Sequence, residues 1–305
     1  MDQVRITDVA PRDGLQNEAA IVPVADKVRL IRALLACGVD EVEATSFVSP
    51  KWIPQLGDAE EVLGALCEAG GEARQPVISA LVPNERGFER ALVFHERLRG
   101  AGYPGGLKIA VFTAASETFS KKNTNASIAE TIERFGAFLP RAIDAGMAVR
   151  LYISCVVACP FEGPIAPGAV RAVADDLLAL APRGELDLGD TIGAATVRSL
   201  DALLDVFTDA ERGAMTLHLH DTFGRAAACV ARALERGVRS FDGAAGGLGG
   251  CPYAGTAERR APGNIATETL VQAIRAAGYR TGVDEHALAK AGALARALTA
   301  GPGAG

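Results

Sequence analysis

The sequence predicts a single-domain α/β protein, a (β/α)8 TIM barrel with a short extra helix at its C-terminal end. Three observations carry this. Apolar, strand-like runs alternate with amphipathic stretches along the whole chain, and repeated strand–helix–strand units imply parallel strands joined by crossovers. Eight such units in roughly 250 residues match a closed barrel. The residues suited to chemistry also fall after strand ends, where barrel enzymes keep their active sites. A doubly wound open sheet is the other arrangement of such units, but it needs a switch point and usually fewer strands.

In order, strands are expected at Arg5–Val9, Glu41–Thr45, Val77–Leu81, Lys108–Phe112, Val149–Ser154, Glu185–Leu188, Thr216–Leu219 and Ser240–Ala244. Between the first two, Asp26–Ala36 has helical apolar spacing and is closed by Gly38. Ala166–Leu180 is a second helical stretch, entered through a proline-containing turn. His286–Thr299 reads as a helix beyond the barrel, followed by a Gly/Ala/Pro tail. No linker or low-complexity tract interrupts the pattern, so residues 1–280 form the catalytic barrel and 281–305 a C-terminal helix with a disordered tail.

Composition narrows the partners. The net charge is −6 with the basic residues dispersed, which argues against nucleic acid or an anionic membrane as partner. No apolar run approaches the roughly eighteen residues of a membrane span, and the N-terminus enters a strand pattern without a secretory or transit segment. Six cysteines follow no dense disulfide pattern, so a reducing, cytoplasmic setting is expected. Cys155 and Cys159 lack the second nearby pair of a zinc ribbon.

The most informative segment is HLHDTFG. Residues two apart on a strand point the same way. His218 and His220 therefore aim two imidazoles at one point, with Leu217 and Leu219 on the opposite face. Such a pair is half of a metal site, or two polar residues on a wet strand end. Asp13, in the segment APRDGLQ after the first strand, supplies the missing oxygen if the barrel closes, because strands one and eight then adjoin and seven lies one further on. Taken alone, an aspartate before glycine is more often a turn residue. Asn264 is a candidate fourth ligand or, alternatively, the N-cap of the last barrel helix.

Other strand ends carry further candidates. Arg12 either pairs with Asp13 or meets the oxyanion formed when a carbon–carbon bond breaks. Glu43 ends strand two and either orients Arg12 or a metal-bound water, or is a surface charge at the strand end. Ser116 and Glu117 follow strand four, Cys155 strand five, and Asp190 and Thr191 strand six. Cys251 lies in the glycine-rich run Gly246-Gly-Leu-Gly-Gly-Cys-Pro252, which can hinge over the mouth. That run is no phosphate loop, since no Gly-Lys-Ser/Thr follows it.

Seven segments from Pro11 to Ala254, PRDGLQNE, VEATSFVSPKWIPQLGD, FTAASETFSKKN, YISCVVACPFEG, LGDTIG, HLHDTFG and GLGGCPYA, together resemble the 3-hydroxy-3-methylglutaryl-CoA lyase family. The resemblance implies cleavage of that acyl-CoA to acetyl-CoA and acetoacetate with a bound magnesium or manganese ion. It implies metal ligation by Asp13, His218, His220 and Asn264, enolate stabilisation by Arg12, and a general acid in Cys251. Glu43 and Asp190 match supporting acids, and Arg150 and Gln16 match residues at the substrate. A homodimer is expected on the same basis.

The chain departs from the family pattern between Cys251 and Asn264, where PYAGTAERRAPG is a few residues longer and leaves Glu258, Arg259 and Arg260 without counterparts. An inserted surface loop costs little, while a modified lid or a contact to CoA phosphate is the functional reading. Lys51, Lys121 and Lys122 are either phosphate contacts or solvated lysines. The alternatives to the lyase are a lyase for a related 3-hydroxyacyl-CoA, an acetyl-CoA-dependent condensing acyltransferase of the citramalate or isopropylmalate synthase kind, and a non-catalytic barrel. Synthases usually add C-terminal domains that the sequence lacks, and a non-catalytic barrel predicts erosion of the polar strand ends.

Overall fold

The computed structural model describes residues 2–69, 76–250 and 263–300. Eight strands, β1 (Arg5–Asp8), β2 (Glu41–Ser46), β3 (Val77–Leu81), β4 (Leu107–Ala114), β5 (Val149–Ser154), β6 (Glu185–Asp190), β7 (Thr216–Leu219) and β8 (Ser240–Gly243), form one closed parallel barrel. Each strand neighbours the next in sequence, and β8 closes onto β1 with Thr7 opposite Asp242. Every expected strand is present. β4 runs past Phe112 because its pairing with β5 continues to Ala114 opposite Ser154. A small hairpin, Ala158–Cys159 against Gly163–Pro164, sits in the connection after β5.

The strands alternate in what they face. Ile6, Val42, Ile78, Ile109, Leu151, Ile153, Leu186, Leu188, Leu217, Leu219 and Phe241 are buried in one apolar core between sheet and helices. Full burial of a side chain of this size contributes about 1.5–3 kcal/mol. The intervening residues face inward and include many charged groups: Glu41, Glu43, Lys108, Arg150, Asp187, His218 and Asp242 are all buried. Buried charges are costly unless paired, and here they form ion pairs across the barrel interior.

The helices start where side-chain acceptors meet the first free amides. Ser127 and Glu130 form a reciprocal capping box, as do Thr208 and Glu211, while Asn84 and Ser116 cap through single side chains. The first helix spans Val24–Ala36 and the second expected one Pro167–Leu180, with proline in its first turn. The extra helix covers Glu285–Thr299 and packs onto the Val24–Ala36 helix and the turn at 245–247. That approach is close. Gly246 has φ +73°, and a Cβ there would lie 2.8 Å from the Gly292 carbonyl oxygen. The expected disordered tail falls on 301–305, outside the described residues. No helix among the described residues is long and apolar enough to cross a membrane.

Candidate functional site

The C-terminal ends of the strands open into a cavity of about 690 Å³. Its lining includes Arg12, Asp13, Gln16, Tyr152, His218 and His220. Asp13 leaves β1 through a π-helical turn at Ala10–Gly14, entered with Pro11. That turn folds the carboxylate back over the barrel axis towards β7. Asp13, His218 and His220 each offer a ligand atom within 4.8 Å of the others.

The residues behind these three come from other strands. His218 Nδ1 is 3.1 Å from Asp242 Oδ2, and the two residues are register partners on adjacent strands. Imidazoles that ligate metals usually bond a carboxylate or carbonyl through the other nitrogen, which fixes ring and tautomer. His218 therefore turns Nε2 into the cavity, 3.3 Å from His220 Nε2. Burial, helped by the proximity of His218, lowers the His220 pKa to about 3, so its ring is neutral, as a ligand requires. Burial opposes charge on Asp13 as well, but Arg12 and the two histidines outweigh it and hold the carboxyl at about 2. An imidazole nitrogen from each histidine and an ionised carboxylate oxygen at one point are the donor set of a divalent cation.

Of its two expected roles, Asn264 does not take the helix cap. The N-cap of the Thr267–Ala276 helix is Ala266. The Asn264 amide instead donates to Asp13 Oδ2 at 2.8 Å and to the Leu248 carbonyl at 3.1 Å.

Arg12 is held on two sides. Nε donates to Glu43 Oε2 at 2.6 Å and one terminal nitrogen to Asp13 Oδ1 at 2.7 Å, while the plane lies 5.6 Å from the Tyr152 ring centre. Burial opposes the charge, but Glu43 and Asp13 keep the guanidinium firmly protonated. Gln16 donates to Asp13 Oδ1 at 3.3 Å.

Two expected site residues stand elsewhere than at the substrate cavity. Asp190 accepts from the amides of Ala194 and Ala195 at 2.9 and 2.8 Å and so shapes the loop after β6. Its burial raises the pKa to about 6. Arg150, expected against substrate, lies a layer beneath the mouth and is absent from the cavity lining. It bonds Asp242, Thr7, Glu41 and Glu185, because inward residues two apart on β5 occupy successive layers and Tyr152 takes the upper one. Lys122 lines the cavity, whereas Lys51 and Lys121 do not. Ser116 caps the helix after β4, and Cys155 has φ +60° with its amide bonded to Thr191. Cys251 and the longer loop at 255–262 lie outside the described residues.

Sequence reasoning missed Asp242 and Tyr152. Their one signal was parity, since each is an inward position of an expected strand. Asp242 meets His218 only once β8 is paired with β7.

Comparison with known proteins places this arrangement among relatives. The HMGL-like family model matches residues 3–295. The mitochondrial hydroxymethylglutaryl-CoA lyase of Bos taurus is 44% identical over 293 residues, covering 96% of this chain and 84% of that one. A crystal structure of the HMG-CoA lyase from Brucella melitensis is 44% identical with a TM-score of 0.88, covering 98% of this chain and 99% of that one. An HMG-CoA lyase from Acinetobacter baumannii, solved with coenzyme A and 3-methylmalate, is 32% identical with a TM-score of 0.82, covering 97% and 91%.

Proposed function

The chain belongs to the HMGL-like family, and from that premise we propose that it is a carbon–carbon lyase cleaving 3-hydroxy-3-methylglutaryl-CoA to acetyl-CoA and acetoacetate. The observation that carries the reading is the convergence of Asp13, His218 and His220 within 4.8 Å, beside a twice-anchored Arg12, at the barrel mouth.

Asp13, His218, His220 and the Asn264 carbonyl would hold a divalent ion, magnesium or manganese. When bound, the ion supplies Lewis acidity towards the substrate's hydroxyl and carboxylate oxygens. The reaction removes the proton of the C3 hydroxyl, turns that C–O into the ketone of acetoacetate, and breaks the C2–C3 bond. The electron pair passes to C2 as an enolate of the thioester, and a proton delivered to C2 gives acetyl-CoA. Arg12 lines the cavity with its orientation already fixed, so its remaining N–H groups meet the enolate oxygen without reorganising. Glu43 and Asp242 hold the arginine and the histidine in place. Tyr152 packs beneath both, with its ring edge-on to His218. Gln16 contacts the substrate from the Asp13 side, and Asp190 supports the loop after β6. Cys251 is assigned the proton delivered to C2, an assignment resting on the family resemblance of its segment. The CoA arm leaves through the rim that carries Trp52 and Lys122.

Chelation followed by dialysis should abolish acetoacetate formation, and added magnesium or manganese should restore it. Full turnover by metal-free protein would overturn the reading. A panel of 3-hydroxyacyl-CoA thioesters separates this substrate from a related one. A homodimer in a cytoplasmic setting completes the proposal, and light scattering on the purified protein tests the assembly.

A further inference from the structure

Trp52 is the chain's one tryptophan and, at 71% exposure, the most exposed large apolar side chain among the described residues. Apolar side chains scattered singly over a surface are ordinary, but this indole lines the cavity that holds the metal set. The loop that carries it is fastened from below. The Trp52 and Ile53 amides donate to the Ser49 carbonyl at 2.9 and 3.1 Å, and a short helical turn follows at Pro54–Leu56. Lys27, buried on the first helix, donates to the Gln55 carbonyl and, at 2.7 Å, to Asp58 Oδ2. The buried Gln55 side chain accepts from the Val22 amide and donates to the Ala20 carbonyl, both at 2.9 Å. Burying a lysine and a side-chain amide is costly unless each is bonded. The bonds made here fix where the loop stands, and with it the indole.

The charge of the rim narrows what such a face meets. The chain carries a net charge of −6, yet apart from Asp13 the cavity lining holds no acid among the described residues, while the exposed Lys122 and Arg134 both belong to it. The acyl-CoA assigned to the site above consists of a reacting thioester, an aliphatic pantetheine arm, phosphates and one flat ring system, adenine. Arg12 and the metal set take the thioester end, and the phosphates suit the two cations. We propose that Trp52 is the platform on which the adenine ring of the CoA arm stacks, a binding residue that selects the full CoA thioester over shorter thioesters. A base stacked on an aromatic side chain strengthens binding by about 5–150-fold, judged by alanine substitution. The aliphatic arm has no such face to offer. An indole already held in position also loses little freedom when the ring docks, which keeps the ordering cost of binding low.

This rests on the acyl-CoA reading above, and the two fail separately. Because Trp52 is the one tryptophan, its fluorescence reports on the platform directly. Adenosine 3′,5′-bisphosphate, the nucleotide end of CoA, should quench or shift the emission saturably, and pantetheine should do so far less. Trp52→Ala should raise the KM for 3-hydroxy-3-methylglutaryl-CoA about 5–150-fold more than it lowers kcat. Trp52→Phe, which keeps an aromatic face, should recover most of the loss. With the pantetheine thioester of the same acid, the loss in kcat/KM from Trp52→Ala should be several-fold smaller than with the CoA thioester. An emission blind to the nucleotide, equal losses on the two thioesters, or a phenylalanine variant no better than the alanine one would overturn the proposal. Wild type that binds the nucleotide but cleaves neither thioester would overturn the lyase reading and leave the platform standing.

Discussion

Replacing Arg12 with lysine tests the chemistry of the mouth at its most constrained point. The guanidinium spans two acids at once, Glu43 at 2.6 Å through Nε and Asp13 at 2.7 Å through a terminal nitrogen, and only a planar fork can do both and still offer an N–H to a ligand. A lysine has one ammonium, so it serves Glu43 or Asp13 but presents no fixed donor to the enolate oxygen. Losing one preorganised donor to an oxyanion costs about 2.7–4 kcal/mol, or about 10²–10³ in kcat. Asp13 keeps its bonds from Asn264 and Gln16, so manganese affinity should change far less than kcat. The assay pairs steady-state acetoacetate formation at saturating substrate with manganese titration and thermal unfolding. An Arg12→Lys enzyme whose kcat stays within about tenfold of wild type would refute this account of the arginine.

Three further outcomes are expected. Asp242→Ala should weaken manganese binding by about 10–100-fold, because the His218 ring loses the acceptor that sets its tautomer; unchanged affinity would remove Asp242 from the site. Arg150→Met should destabilise the fold by about 3–5 kcal/mol in denaturant titrations, since buried acids around it lose their cation, and a stabilised variant would contradict the pairing. Asp8 gives the pH dependence. Its burial lifts its pKa from 3.8 to about 7. The folded state therefore retains a proton that the unfolded state has released, so the contribution is complete below pH 4 and is lost as pH rises through 7. Three units correspond to roughly 4 kcal/mol. The stability of Asp8→Asn relative to wild type should thus climb between about pH 4 and 7, and a flat difference would sink the assignment.

Much of this protein was legible before folding. Alternation along strands announced which face of β7 carries His218 and His220 and which carries Leu217 and Leu219, because a strand's period is a local property. Asp13 was legible for a different reason: a closed barrel brings its first strand against its last, so a carboxylate after β1 lies within reach of β7. Arg150 marks the limit. Its sequence position ties it to β5, but depth inside the barrel depends on strand tilt and stagger, and those place it among Asp242, Glu41 and Glu185, below the cavity lining.

By itself, then, the order of residues determined the eight strands, the chemistry-bearing ends and the family. The side chains that must meet an ion are recognisable from their type and spacing. Tertiary structure alone decided the partners: Asp242 on His218, Glu43 on Arg12, and Asn264 turned from a helix cap to the Asp13 carboxylate. The reason is physical. Hydrogen bonds and ion pairs inside a barrel join residues some 20 to 250 positions apart, and only closure of the sheet fixes which inward groups share a layer.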